Sequence, residues 1–164
     1  MRKATGTVLA FVLTAAAMGA TGLGPASSQE PGPETFTLCA QEQSGFDRSI
    51  DVGKRDFSPG DYTVSVKPLL DPETGDRKGQ LVSTFTFVKP IGKNDGRGYV
   101  EGTYELETGK ITFYGSFKFS DEAVVFAITG GNGAYSNVGG TVSDSSGRCD
   151  GERGGLFQFE VIHD

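Results

Sequence analysis

The 164-residue sequence has no tryptophan, a single histidine and two cysteines, and each scarcity removes a reading. With no tryptophan, and with Cys39 and Cys149 lying 110 positions apart, the Cys–Trp–Cys signature of an immunoglobulin sandwich is missing. His163 has no cysteine or histidine near it, and neither cysteine belongs to a CxxC pair, so no transition-metal set is expected. No Ser-His-Asp order emerges around that one histidine either. Asp144, Asp150 and Glu152 sit among turn-forming residues without EF-hand spacing, and neither calcium nor a cofactor is expected. There is no Asn-x-Ser/Thr sequon, no internal repeat, and beyond the leader no long segment with helical periodicity.

What is present begins with a leader. Arg2 and Lys3 precede an apolar, small-residue run from Thr7 to Ala20, and Ala26 and Ser28 stand at the −3 and −1 positions before Gln29. This is the pattern of a cleaved secretory signal peptide over 1–28, and it implies an extracellular protein. A single membrane anchor is the competing reading, but the run is shorter than the ~20 apolar residues that span a bilayer. The Pro/Gly-rich residues 29–34 are expected as a disordered linker, which leaves 35–164 as one domain. Loss of the leader removes two positive charges and takes the net charge from −6 to −8. Such an acidic surface disfavours nucleic acid and anionic lipid, so neither nucleic acid nor stable membrane insertion is expected. In an exported chain Cys39 and Cys149 are expected to form a disulfide.

Within 35–164 the recurring signal is alternation. Tyr104 and Leu106 share one face opposite three glutamates; Ile111, Phe113, Phe117 and Phe119 share another. Leu81, Phe85 and Phe87 form a third such face, and Phe157, Phe159 and Val161 a fourth. The separators PETGD, GKNDG, ETGK, SDE and SDSSGRCDG carry turn chemistry, with 107–110 as the tightest hairpin. About eight strands at this spacing predict an all-β fold, a small antiparallel barrel whose closure leaves no aromatic edge exposed. Alternation alone turns Tyr62, Val64 and Val66 inward and makes Lys67 a solvated residue beside Pro68.

Residues 128–140, ITGGNGAYSNVGG, hold five glycines. A phosphate loop needs Gly-Lys-Ser/Thr, but Gly133 is followed by Ala134 and Tyr135. A dinucleotide fingerprint needs a third glycine where Ser136 stands. A tight glycine turn spanning Gly130, Gly131 and Gly133 remains as the plain reading. The longer stretch FAITGGNGAYSNVGGTV, including Tyr135 and Gly140, resembles the signature of the allene oxide cyclase and dirigent superfamily. The Gly60-Asp61 opening of GDYTVSVKPLLD and the hairpin YELETGKITFYG resemble that superfamily as well, and together these segments cover roughly residues 45–145.

The resemblance implies an eight-stranded antiparallel barrel with an apolar cavity that takes a small hydrophobic or phenolic molecule. In the cyclase branch the barrel folds an unstable epoxide into a ring-closing shape, and in the dirigent branch it steers phenolic intermediates, so preorganisation does most of the work. Cavity positions carry over to Lys67, Phe85 and Phe117, where the plant cyclase has asparagine, cysteine and tyrosine. Asp61, Phe87 and Phe113 complete the candidate ligand wall. Where dirigent proteins place arginine and an acidic residue within and after the glycine motif, this chain has Ser136, Gly139 and Ala134. The alternative is a carrier or interaction module whose phenylalanines fill the barrel, and a lumen well below ~300 Å³ would favour it. The alignment places Thr63, Ser65 and Lys67 in the cavity and so exposes Tyr62, Val64 and Val66, which predicts self-association as a trimer or dimer.

Overall fold

The computed structural model describes residues 32–53, 58–89 and 96–164; the leader and linker expectations for residues 1–31 lie outside the described residues. The alternating segments form strands β1 (Glu34–Gln41), β2 (Phe46–Ile50), β3 (Tyr62–Leu70), β4 (Arg77–Lys89) and β5 (Arg97–Leu106). They are followed by β6 (Gly109–Lys118), β7 (Ala123–Gly133), β8 (Val138–Cys149) and β9 (Glu152–His163). Every pairing is antiparallel, in the order β1-β9-β8-β7-β6-β5-β4-β3, and β1 meets β3 at Cys39–Leu70 to close an eight-stranded barrel. β2 is the extra strand. It continues the line of β1 along β3, after a break at 42–45 that contains Gly45 with φ +80°. A Cβ at Gly45 would stand 2.1 Å from the Val66 carbonyl oxygen, so the break depends on glycine.

Most of the expected inner faces are observed, with Leu106, Phe85 and Phe117 half-buried and Phe119, just past the end of β6, exposed. Leu81, Phe87, Tyr104, Ile111, Phe113, Phe157, Phe159 and Val161 are all buried. Rings pack from Phe119 and Phe85 through Phe117, Phe126, Phe113 and Tyr104 to Phe159, Phe36 and Tyr135, with neighbouring centroids 4.5–6.4 Å apart. Full burial of each large apolar side chain is worth about 1.5–3 kcal/mol, and favourable aromatic pairs add about 0.5–1.5 kcal/mol. From Phe126 and Phe113 through Tyr104 to Phe159, Phe36 and Tyr135 these rings fill one half of the barrel, while Phe117 and Phe119 border the other.

Three local expectations are corrected. On β3 the inward residues are Thr63, Ser65, Lys67 and Leu69, in register with Phe85, Ser83, Leu81 and Gly79. Tyr62, Val64 and Val66 therefore face out, and alternation misreads this strand because the inner wall beside it is polar. The segment 143–149 is not turn but the second half of β8, with the turn confined to Asp150 and Gly151. The glycine run is likewise strand: Gly130, Gly131 and Gly133 belong to β7, and the turn follows at 134–137. Its glycines answer crowding. A Cβ at Gly131 would meet the Lys110 and Tyr135 carbonyl oxygens at 2.3 and 2.4 Å. The close approach folds Tyr135 back into the core against Phe36.

Cys39 and Cys149 form the expected disulfide, with Cα atoms 5.5 Å apart and both residues fully buried. It ties β1 to the end of β8 across β9. A Cβ at Gly154 beneath it would meet the Ala40 carbonyl oxygen at 2.2 Å and the Cys149 Cβ at 3.2 Å.

Candidate functional site

One end of the barrel is hollow because one stretch of its inner wall is built from small residues. On β1, β9 and β8, Ala40, Gly155 and Ser146 stand side by side in register. One step deeper the corresponding row is Leu38, Phe157, Asp144 and Val124, of which the last three line the hollow. The resulting cavity has a volume of about 490 Å³, and Phe117, Phe119, Val124 and Phe157 give it apolar walls.

The opposite wall is polar. Asp47 accepts hydrogen bonds from Ser65 and from Lys67, the latter at 2.5 Å, and Lys67 Nζ also donates to the Glu42 carbonyl oxygen at 2.9 Å. Ser49 and Thr63 hydroxyls pair at 3.0 Å farther along the same strands. The Lys67 side chain is 13 % exposed and lines the cavity, so it is not the freely solvated lysine that the strand pattern suggests. Its charge is already matched by Asp47, and long stems of this kind bury readily when the head is paired.

The other sequence candidates separate. Phe117 lines the cavity. Phe85 and Phe87 stand behind it, their rings 4.9 Å from Phe117 and 5.6 Å from Phe119 respectively. Phe113 lies in the filled half, 4.8 Å from Tyr104. Asp61 is buried away from the cavity lining and caps the β2–β3 loop. It accepts hydrogen bonds from Val52 N–H at 2.8 Å and from Ser58 N–H at 2.6 Å. Those donors, Ser58 first and then Val52, hold its carboxyl below the usual range, which suits a structural cap and not a proton donor. Gly130, Gly131, Gly133 and Gly140 shape strands near the other end of β7 and β8, and Tyr135 is core.

The residue that sequence reasoning passed over is Asp144. It projects inward from β8, in register with Val124 on one side and Phe157 on the other, and lines the cavity. Burial pushes its carboxyl up to about 6. Among the described residues no hydrogen bond or ion pair reaches that carboxylate. Tyr104 lies within its electrostatic reach, and its hydroxyl is pushed well up by its own burial and then by the charge of Asp144. An acid with its midpoint near neutrality in a partly apolar cup can both accept and return a proton.

No protein-family model matches the sequence, and no curated protein matches it. Solved structures do match. A pyocyanin demethylase aligns over 79 % of this chain and all of its own, with 23 % identity and a TM-score of 0.66. The pterocarpan synthase dirigent protein PsPTS1 aligns over 80 % of this chain and 94 % of its own, at 16 % identity and a TM-score of 0.61. The Diels-Alderase AbmU from Streptomyces koyangensis covers 80 % of this chain with 64 % of its own, at 15 % identity and a TM-score of 0.62. At these identities the likeness is one of architecture. The chain has the allene oxide cyclase/dirigent-type barrel, the fold it shares with dirigent proteins and with barrel-shaped cyclases.

Proposed function

We propose that the chain is an exported barrel that binds a small hydrophobic or phenolic molecule in its open end and acts on it as a dirigent-like or cyclase/isomerase-like scaffold. The observation that carries this reading is the cavity of about 490 Å³ with aromatic residues on one side and the Asp47–Lys67 pair on the other. That volume lies within the ~300–1,000 Å³ range of small-molecule sites. Phe117 and Phe157 offer faces for a flat ring, while the opposite wall fixes which edge of the ring points where. Holding a reactive molecule in one conformer is itself a source of rate and of stereochemical control. A second reading, a carrier without chemistry, draws support from the aromatic packing that fills the other half of the barrel.

The test is calorimetric titration of the mature protein with 2-methoxynaphthalene, repeated with Ser146→Phe. Ser146 is exposed at the cavity wall, so a phenyl group there occupies the hollow without disturbing the core. Saturable binding by the natural chain and its loss in the variant are expected. Equal behaviour of the two proteins, or no binding of either 2-methoxynaphthalene or 2-naphthol, overturns the cavity as the site. Export is checked by amino-terminal sequencing of secreted protein, which should begin near Gln29; a mature chain retaining Met1 contradicts it.

A further inference from the structure

We infer that the cavity selects ligands carrying a hydrogen-bond donor, a flat aromatic molecule whose O–H or N–H becomes the partner of the Asp144 carboxylate. The inference rests on the proposed binding cavity and adds the chemistry of what it takes. Four observations converge on it. Asp144 is on the inner face of β8, flanked in register by Val124 and Phe157, so its immediate surroundings are apolar. Among the described residues it has no hydrogen-bond or ion-pair partner, whereas Asp61 has its donors in place. The space beside it is kept open by Gly155, where a Cβ would lie 3.3 Å from Asp144 Oδ1. Two of the cavity's basic groups are engaged elsewhere, Lys67 with Asp47 at 2.5 Å and Arg153 with Glu42 at 3.2 Å, and the third, Lys118, is exposed at the rim and makes no ion pair with Asp144.

Asp144 is half-buried with its oxygens still in contact with solvent, so the cavity strips part of the carboxylate's hydration without supplying a protein donor, and a donor on a bound ring would restore what is lost. Phe117 and Phe157 line the cavity with Asp144, so a ring that packs against them can bring its substituent to the carboxylate. Burial keeps the group protonated up to about 6, so the two ionisation states prefer different ligands. The neutral acid tolerates an apolar neighbour, and the carboxylate demands a donor. The other titratable groups around it are Tyr104 below, the Lys67–Asp47 and Arg153–Glu42 pairs across the mouth, and Lys118, Asp121 and Glu122 at the β6–β7 turn.

The experiment compares 2-naphthol with 2-methoxynaphthalene, in which a methyl group replaces the donor hydrogen, on the natural chain, Asp144→Asn and Asp144→Leu, so that the methyl group's own effect is read from Asp144→Leu. At about pH 8 the natural chain should prefer 2-naphthol by about tenfold or more, the range of a hydrogen bond to a charged acceptor. The preference should shrink in Asp144→Asn and vanish in Asp144→Leu. Carboxyl NMR of the natural chain needs no variant: 2-naphthol should lower the Asp144 midpoint and 2-methoxynaphthalene should raise it. Equal affinities for the two probes at about pH 8, or undiminished selectivity in Asp144→Leu, overturn donor selection while leaving the cavity as a binding site. Failure of both probes to bind overturns the cavity and the selection together.

Discussion

Replacing Asp144 with asparagine should stabilise the barrel at about pH 8 and leave its stability unchanged at about pH 3. The carboxyl has an ordinary value of 3.8 and is pushed up to about 6 by burial, so the folded chain binds its proton more tightly than the unfolded chain does. Below the ordinary value both states are protonated and nothing is gained or lost. As pH rises through the interval from 3.8 to about 6, the unfolded state releases the proton first and the folded state loses stability. Above that interval the penalty is constant. The difference between the two values corresponds to about 3 kcal/mol at most, since asparagine has an amide of its own to desolvate. Asp47, Asp61, Asp71 and Glu105 have values shifted the other way, and their stabilisation is lost on acidification. The raw pH–stability curve therefore mixes both signs, and only the difference between variant and natural chain isolates Asp144. Urea unfolding of both proteins across this range measures it. A difference that stays flat with pH would refute the burial of this carboxylate.

Further outcomes bear on the covalent frame and on assembly. Intact mass before and after reduction should differ by two hydrogens, and a Cys39→Ser/Cys149→Ser chain should lose up to about 4–5 kcal/mol of stability, given the 110-residue separation; two thiols alkylated without reductant would contradict the bridge. The mature protein should self-associate as a trimer or dimer through the outer face of β2 and β3. There Phe46 is 53 % exposed in register with Val66, on the face that also carries Tyr62 and Val64. Phe46→Glu should shift the light-scattering mass to a monomer, and a monomeric natural chain would contradict self-association.

The parts of the fold legible in the sequence are those where an apolar residue faces an apolar core. Leu81, Tyr104, Ile111, Phe113 and Phe159 are placed by alternation because they line the filled half of the barrel, where inside means dry. The same rule reads β3 backwards. Near the cavity the inner wall carries Thr63, Ser65 and Lys67, and polar residues on that face invert the pattern; alignment to the superfamily supplied the right register. Asp144 was illegible for a related reason. The residues SDSSGRCDG have the composition of a turn, and only pairing with Phe157 and Val124 shows that this aspartate points inward. The hollow itself is written as a row of small residues, Ala40, Gly155 and Ser146, drawn from three strands distant in sequence. No local window contains that row.

Chemical-shift mapping of the isotope-labelled mature protein with 2-methoxynaphthalene tests the central claim most directly. Binding in the cavity predicts the largest saturable shifts at Ala40, Val124 and Gly154 to Phe157, with ring-current effects from Phe117. Shifts centred instead on Phe46, Tyr99 and Tyr114, which are exposed on the outer surface, would contradict a ligand site inside the barrel.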